Sequence, residues 1–87
     1  MTIHIYFAGG PMDGAIQSFE DPGTVIEFPT DQSDLYIEYA QYHKVRVEDA
    51  AGGVFRGKQG LWTYRGTKIE ALEDGKKYGV RHTKEKS

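Results

Sequence analysis

Three histidines are the side chains in this sequence best suited to binding a metal ion, but their positions argue against a metal site. His4, His43 and His82 are far apart along the chain, and the chain contains no cysteine. Zinc and iron sites usually combine histidine with cysteine or carboxylate ligands at short spacing. We therefore expect no metal site and no cofactor, and we interpret His43 as an ordinary strand residue.

The hydroxyl and carboxylate side chains are not arranged for catalysis either. Neither Ser18 nor Ser33 lies in the Gly-x-Ser-x-Gly context that exposes a nucleophilic serine. Asp13 and Glu38 are conceivable as a general acid and base, but nothing in the sequence brings the two carboxylates together. We expect no catalytic residues and predict that the protein is not an enzyme.

Aromatic and basic residues alternate in the second half of the chain, a pattern typical of a binding surface. Aromatic residues make up 13% of the 87 residues, which is more than the thin core of so short a chain can be expected to hide. Tyrosine, tryptophan and arginine dominate protein interfaces, and the same combination binds single-stranded nucleic acid. The candidate binding residues are Tyr42, Arg46, Arg56, Trp62, Tyr64 and Arg65.

A glycine-rich segment, which we call the glycine box, separates the first two predicted strands. It reads Gly-Gly-Pro-Met-Asp-Gly from residue 9 to residue 14. A phosphate-binding loop is the alternative interpretation, but Pro11 lacks an N–H donor and no helix follows. Glycines that tolerate positive φ, a proline with fixed φ and an aspartate that bonds the nearby backbone favour a tight turn. The predicted structural turn residues are Gly9, Gly10, Pro11, Asp13 and Gly14.

The glycine box also resembles the opening of small uncharacterised bacteriophage proteins, particularly those of phages that infect actinobacteria. Looser matches to that group follow at residues 25–29, 42–47 and 61–66, so that the resemblance covers roughly residues 2–66. It implies a phage origin and a β-rich fold. The group supplies no activity and no functional residues to transfer to this sequence.

The charges of the chain are divided unevenly along its length. Residues 1–43 contain seven acids and no lysine or arginine, whereas residues 44–87 contain eleven lysines and arginines and six acids, so the halves carry −7 and +5. Such asymmetry favours either an acidic or basic binding face or acidic strands that pair with basic strands within one sheet. The overall acidic balance argues against general affinity for nucleic acid.

Alternation of apolar and polar residues predicts six to eight short strands and no long helix. Residues 35–42 fit either a strand or a helix, and their tyrosines favour the strand. We predict one all-β domain over residues 1–82, an antiparallel meander that forms a closed barrel or a two-layer sandwich, and a frayed tail at 83–87. The segments with strand character are 2–8, 15–19, 24–28, 35–42, 43–48, 54–56, 61–65, 67–72 and 77–82, of which residues 69–72 also fit a helical turn, with a loop at 29–34, a turn at 57–60 and a hairpin turn at 73–76.

These observations favour a non-enzymatic binding protein encoded by a phage. We expect it to contact a host or phage protein in the bacterial host cytoplasm, through an exposed surface of aromatic and basic residues. We expect neither a signal peptide nor a membrane span, because no apolar segment is long enough. A nucleic-acid-binding module that uses the basic second half and a minor virion or assembly component are the alternatives, and a homo-oligomer is also possible.

Overall fold

A computed structural model describes residues 2–50 and 57–83 of the chain. The described residues form six β-strands and one short 3-10 turn, and they contain no α-helix. The elements are β1 (Thr2–Ala8), the 3-10 turn (Gly10–Met12), β2 (Ile16–Glu20), β3 (Val25–Gln32), β4 (Tyr36–Ala50), β5 (Gly57–Ala71) and β6 (Arg81–Thr83). The prediction of an all-β fold is therefore confirmed.

All six strands belong to one mixed sheet, in the order β2-β1-β5-β4-β3-β6. Strand β1 pairs parallel with β5, and every other pair is antiparallel. The sheet curls into a half-barrel that remains open. The predicted meander is wrong because β1 lies beside β5 as well as beside β2. The closed barrel and the two-layer sandwich are wrong because the described strands form one open sheet.

The core lies on one face of this curled sheet, which we call the inner face. The side chain of Phe7 meets Phe28 and Tyr42 edge to face, with 5.0 Å between ring centroids in each pair. This is a favoured geometry for aromatic pairs. Strand alternation places the following buried residues on the inner face: Ile5, Phe7, Ile26, Phe28, Ala40, Tyr42 and Trp62.

Strands β4 and β5 are much longer than the sequence predicts; each has fifteen residues, and the two pair antiparallel. The strand interpretation of residues 35–42 is confirmed for β4, which continues without a break through the predicted strand at 43–48. The predicted turn at 57–60 is wrong because Gly60 is a strand residue. The Trp62 ring folds back over Gly60, where a Cβ would overlap the ring, so the glycine serves close packing within a strand.

Two bulges allow these strands to stay paired along their length. Arg65 and Gly66 together oppose Gln41, and Val45 is an extra residue on β4. Gly66 has a φ of 108°, a conformation that glycine adopts without strain. The predicted strands 61–65 and 67–72 are therefore one strand with a bulge.

The two remaining corrections concern β3 and the end of the chain. Strand β3 continues through Pro29 to Gln32, with a register shift between Pro29 and Asp31, so most of the predicted loop at 29–34 is strand. A proline is tolerated in a strand at such an irregularity. The predicted hairpin strand at 77–82 is wrong, because Arg81–Thr83 pairs with β3 instead. The predicted strand at 54–56 and residues 84–87 of the predicted tail lie outside the described residues.

Candidate binding surface

The glycine box is held against the core by the hydroxyl of Tyr42. This hydroxyl donates a hydrogen bond of 2.6 Å to the carbonyl of Gly9 and accepts one of 2.8 Å from the N–H of Met12. The Tyr42 side chain is fully buried, and burial raises the pKa of its phenol above the ordinary value of 10.0. Tyr42 is thus an internal anchor for the box, and the prediction that its ring is exposed for binding is wrong.

The glycines of the box have the backbone geometry that the turn interpretation requires. Gly9, Gly10 and Gly14 have φ values of 83°, 63° and 81°. The side chain of Asp13 accepts a 2.7 Å hydrogen bond from the N–H of Gly9. Gly14 and Ala15 both bond to Phe7, as the N–H of Gly14 donates to the Phe7 carbonyl and the Phe7 N–H donates to Ala15. Two residues opposite one make a glycine bulge at the start of β2.

The structure does not bring the six candidate binding residues together on one exposed surface. Trp62 is fully buried in the core, so its predicted exposure is also wrong. Tyr64 is half-buried and lies against the box, since a Cβ at Gly10 would be 2.5 Å from its ring. Arg46 and Arg65 are exposed at different places on the β4–β5 hairpin. Arg56 lies outside the described residues.

An exposed apolar groove does exist, on the face of the sheet opposite the core, which we call the outer face. Tyr6 on β1 and Ile16 on β2 are paired neighbours there, and they are 45% and 47% exposed. Two adjoining cavities of about 200 and 210 Å³ share Tyr6, Gln59 and Gly60. We call their combined lining the outer-face groove; its residues are His4, Tyr6, Ile16, Arg46, Glu48, Gln59, Gly60 and Leu61.

The rim of the outer-face groove is charged. Arg46 and Glu48 are 3.4 Å apart, and their side chains are about two-thirds exposed, at 67% and 64%. Exposed ion pairs of this kind contribute little to stability. Either side chain can therefore exchange its neighbour for a group on a partner at small cost.

A second polar cluster lies at the other end of the outer face, where Arg81 joins three strands. Its guanidinium bonds to Glu70 on β5 and lies 3.2 Å from Glu27 on β3. It also stacks 3.9 Å above the centre of the buried Tyr39 ring on β4. The hydrogen bond from Arg81 lowers the pKa of Glu70 from an ordinary 4.5 to about 2. We call Glu27, Tyr39, Glu70 and Arg81 the Arg81 cluster.

The Arg81 cluster holds β6 on the sheet through ion pairs between Arg81 and two carboxylates, Glu27 and Glu70. Glu27 is buried, and its other carboxylate oxygen accepts a 2.7 Å hydrogen bond from the amide of Gln41. Lys76 and Lys68 approach Glu70 at 3.5 and 3.9 Å. A polar cavity of about 460 Å³ adjoins the cluster. Each of these charged groups contacts one of opposite sign, so the cluster is better explained as a structural link between strands than as a site for a charged ligand.

Sequence reasoning missed this cluster, although one signal for it was visible. Glu27 is a single carboxylate within the apolar run Val25-Ile26-Glu27-Phe28. A buried carboxylate requires a cationic partner, but the sequence does not indicate which of eleven basic residues supplies it. Residues 2–50 and 57–83 contain no group of three or more side chains suited to holding a metal ion.

The functional argument for this chain rests on its fold and on the outer-face groove, because comparisons with known proteins found no match to a protein-family model, a curated protein or a solved structure. Within the described part of the chain, no helix has the length and apolar character needed to cross a bilayer.

Proposed function

We propose that this chain is a non-enzymatic binding protein that contacts another protein through the outer-face groove. The observation that carries the proposal is the pair of large side chains Tyr6 and Ile16, which lie side by side and are 45% and 47% exposed. Exposed apolar neighbours beside a cavity are characteristic of interaction sites. Of the candidate binding residues that the sequence suggests and the structure describes, Arg46 is the one that lines this groove.

The composition of the groove suits a protein partner. Tyrosine and arginine are enriched among the residues that contribute most to protein interfaces, where an apolar centre is surrounded by a polar rim. Tyr6, Ile16 and Leu61 supply the apolar centre, and Arg46 and Glu48 supply the rim. The phage-like glycine box adds the proposal that the partner is a host or phage protein met in the bacterial cytoplasm.

Nucleic acid is the less favoured partner because four of the eight described basic side chains have acidic neighbours. Arg46 pairs with Glu48, and Lys68, Lys76 and Arg81 all lie within 4 Å of Glu70. Most of these pairs lie within the second half of the chain; Arg81 with Glu27 is the pair that joins it to an acid of the first half, across β3 and β6. A minor virion component is a further alternative, and self-association of the purified chain would favour it.

Capture of partners from a bacterial lysate by two matched tyrosine variants tests the proposal. Tyr36 is 40% exposed and lies outside the groove, so Tyr36→Ala removes a similar amount of exposed surface from another place. We expect the wild type and Tyr36→Ala to capture the same protein, and Tyr6→Ala to lose it. Nuclease treatment should change nothing. Loss of the captured protein after nuclease treatment, or equal capture by both variants, would contradict the proposal.

A further inference from the structure

We propose that the partner binds by strand addition: an extended basic segment of the partner pairs with the free edge of β2. This inference rests on the proposed function and specifies the partner. The segment is five to seven residues long and alternates apolar and polar side chains. It places an apolar side chain beside Ile16 and carries lysine or arginine at both ends. In strand addition, backbone hydrogen bonds give affinity and adjoining pockets give specificity.

The hydrogen-bonding pattern shows which backbone groups of β2 face outward. The Phe7 N–H donates to the Ala15 carbonyl, so the residues of β1 that bond to β2 alternate from Phe7. Gln17 and Phe19, which oppose Ile5 and Ile3, therefore turn their N–H and C=O groups toward β1. The intervening residues Ile16, Ser18 and Glu20 turn theirs away from it. Among the described strands, β2 pairs with β1 alone, so these outward backbone groups have no strand partner there, although the Phe19 ring meets His82 of β6 at 6.3 Å.

Apart from the glycine bulge at its start, the edge lacks the features that usually block strand addition. Proteins protect edge strands with lysine, proline, bulges or very short length. Strand β2 runs Ile-Gln-Ser-Phe-Glu over five residues and contains neither lysine nor proline. The opposite edge of the sheet is β6, which is only three residues long and begins with Arg81, the centre of the Arg81 cluster. The contrast points to β2 as the receptive edge.

Charge complementarity selects a basic segment as the occupant. Asp13 lies before β2, Glu20 ends it and Asp21 follows it, and all three are exposed. None of the ion pairs found among the described residues involves these three acids. The five residues of β2 span roughly 13 Å at about 3.3 Å per residue, so basic residues placed one position beyond each end lie roughly 20 Å apart. The β2 edge of a second copy carries the same acids and is the less favourable occupant.

The outer-face groove gives the added strand a specific contact. The cavity of about 210 Å³ beside Ile16 is lined by His4, Tyr6, Ile16, Gln59 and Gly60. Side chains of an added strand alternate between the two faces of the sheet. The side chain next to Ile16 on the outer face therefore packs against Ile16, which separates the added strand from the part of this cavity over β1 and β5.

A synthetic peptide provides a defined probe: acetyl-Lys-Thr-Val-Thr-Val-Thr-Lys-amide, with a second peptide in which glutamate replaces both lysines. Binding is followed by amide shifts in nitrogen–proton correlation spectra at about 150 mM salt, where distant charge attraction is largely screened. We expect the lysine peptide to shift Ile16, Ser18 and Glu20. We expect the glutamate peptide to bind at least about tenfold more weakly, a difference that corresponds to about 1.4 kcal/mol.

Three variants separate strand addition from other modes of binding. Ser18→Pro removes an outward N–H that the fold does not use, and proline is tolerated at such edge positions; it should weaken binding of the lysine peptide at least about tenfold. Ser18→Ala is the matched control and should bind as the wild type does. Ile16→Lys should also fail to bind the lysine peptide. If the proline variant does not fold, this second variant still tests the inference.

Each remaining outcome overturns the inference in a recognisable way. Equal binding of the peptide to Ser18→Pro and the wild type, or no binding at all, would refute strand addition. Amide shifts at the same residues that depend only on protein concentration would identify a second copy as the occupant. If lysate capture is lost with Tyr6→Ala but retained with Ser18→Pro, the proposed function stands and strand addition is wrong.

Discussion

Replacing Tyr42 by phenylalanine removes one oxygen atom and, with it, both hydrogen bonds that hold the glycine box. The Gly9 carbonyl and the Met12 N–H lose their partner, at 2.6 and 2.8 Å respectively. A buried polar group left without a partner costs roughly 1–3 kcal/mol. Since Gly9 is exposed and Met12 is half-buried, water can reach part of the site, and we expect a loss of about 2 kcal/mol.

The same substitution at Tyr39 provides a matched control on the same strand. Tyr39 is also fully buried, but its hydroxyl has no hydrogen-bond partner among the described residues. Tyr39→Phe removes an unsatisfied polar atom, so we expect the free energy of unfolding to stay within about 0.5 kcal/mol of the wild type or to rise. The difference between the two variants isolates the contribution of the box anchor from the loss of a phenolic hydroxyl in general.

Equilibrium unfolding in urea measures both variants, with the slope of the transition checked for constancy. A loss of about 2 kcal/mol in the free energy of unfolding lowers the melting temperature of a domain of this size by roughly 8–16 °C. Calorimetry therefore provides a second measurement of stability. We expect Tyr42→Phe to be the less stable variant by a clear margin. Equal stabilities, or a larger loss in Tyr39→Phe, would refute the anchoring role of Tyr42.

Two further predictions concern the Arg81 cluster and the glycine box. Because Arg81 lowers the pKa of Glu70 to about 2 in the folded chain, Glu70 stabilises the fold fully above its ordinary pKa of 4.5 and loses this contribution as the pH falls toward 2. Urea titrations of wild type and Glu70→Gln should therefore differ most above about pH 5 and converge near pH 2; a constant difference would show that the ion pair is not its source. Gly10→Ala should cost more than Gly14→Ala, because both have positive φ but only Gly10 lies against the Tyr64 ring; equal melting temperatures would contradict that packing.

Local patterns in the sequence predict the parts of the fold that local physics determines. The alternation in residues 2–8 identifies β1 and assigns Ile5 and Phe7 to the buried face, as the structure has it. The positive φ at Gly14 follows from the turn that the box predicts. In these cases the relevant contacts lie within a few residues of one another, so the sequence alone contains the information.

Features that depend on contacts between distant residues could not be predicted. Tyr42 looks like an exposed binding residue until the box, 30 residues earlier, is seen to need its hydroxyl. Gly60 looks like a turn residue because only the folded strand shows the Trp62 ring lying over it. The parallel pairing of β1 with β5 joins segments more than 50 residues apart, and no local signal indicates it. The outer-face groove depends on that pairing, because Tyr6 and Leu61 become neighbours only through it.

Site-specific photo-crosslinking shows whether the outer-face groove contacts a protein. A benzophenone amino acid is placed at position 6 in one variant and at position 36 in another, both of them exposed tyrosine sites on strands. After irradiation in bacterial cells, we expect a discrete protein adduct from position 6 and none from position 36. Adducts from position 36 alone, or nuclease-sensitive adducts from both positions, would contradict the claim.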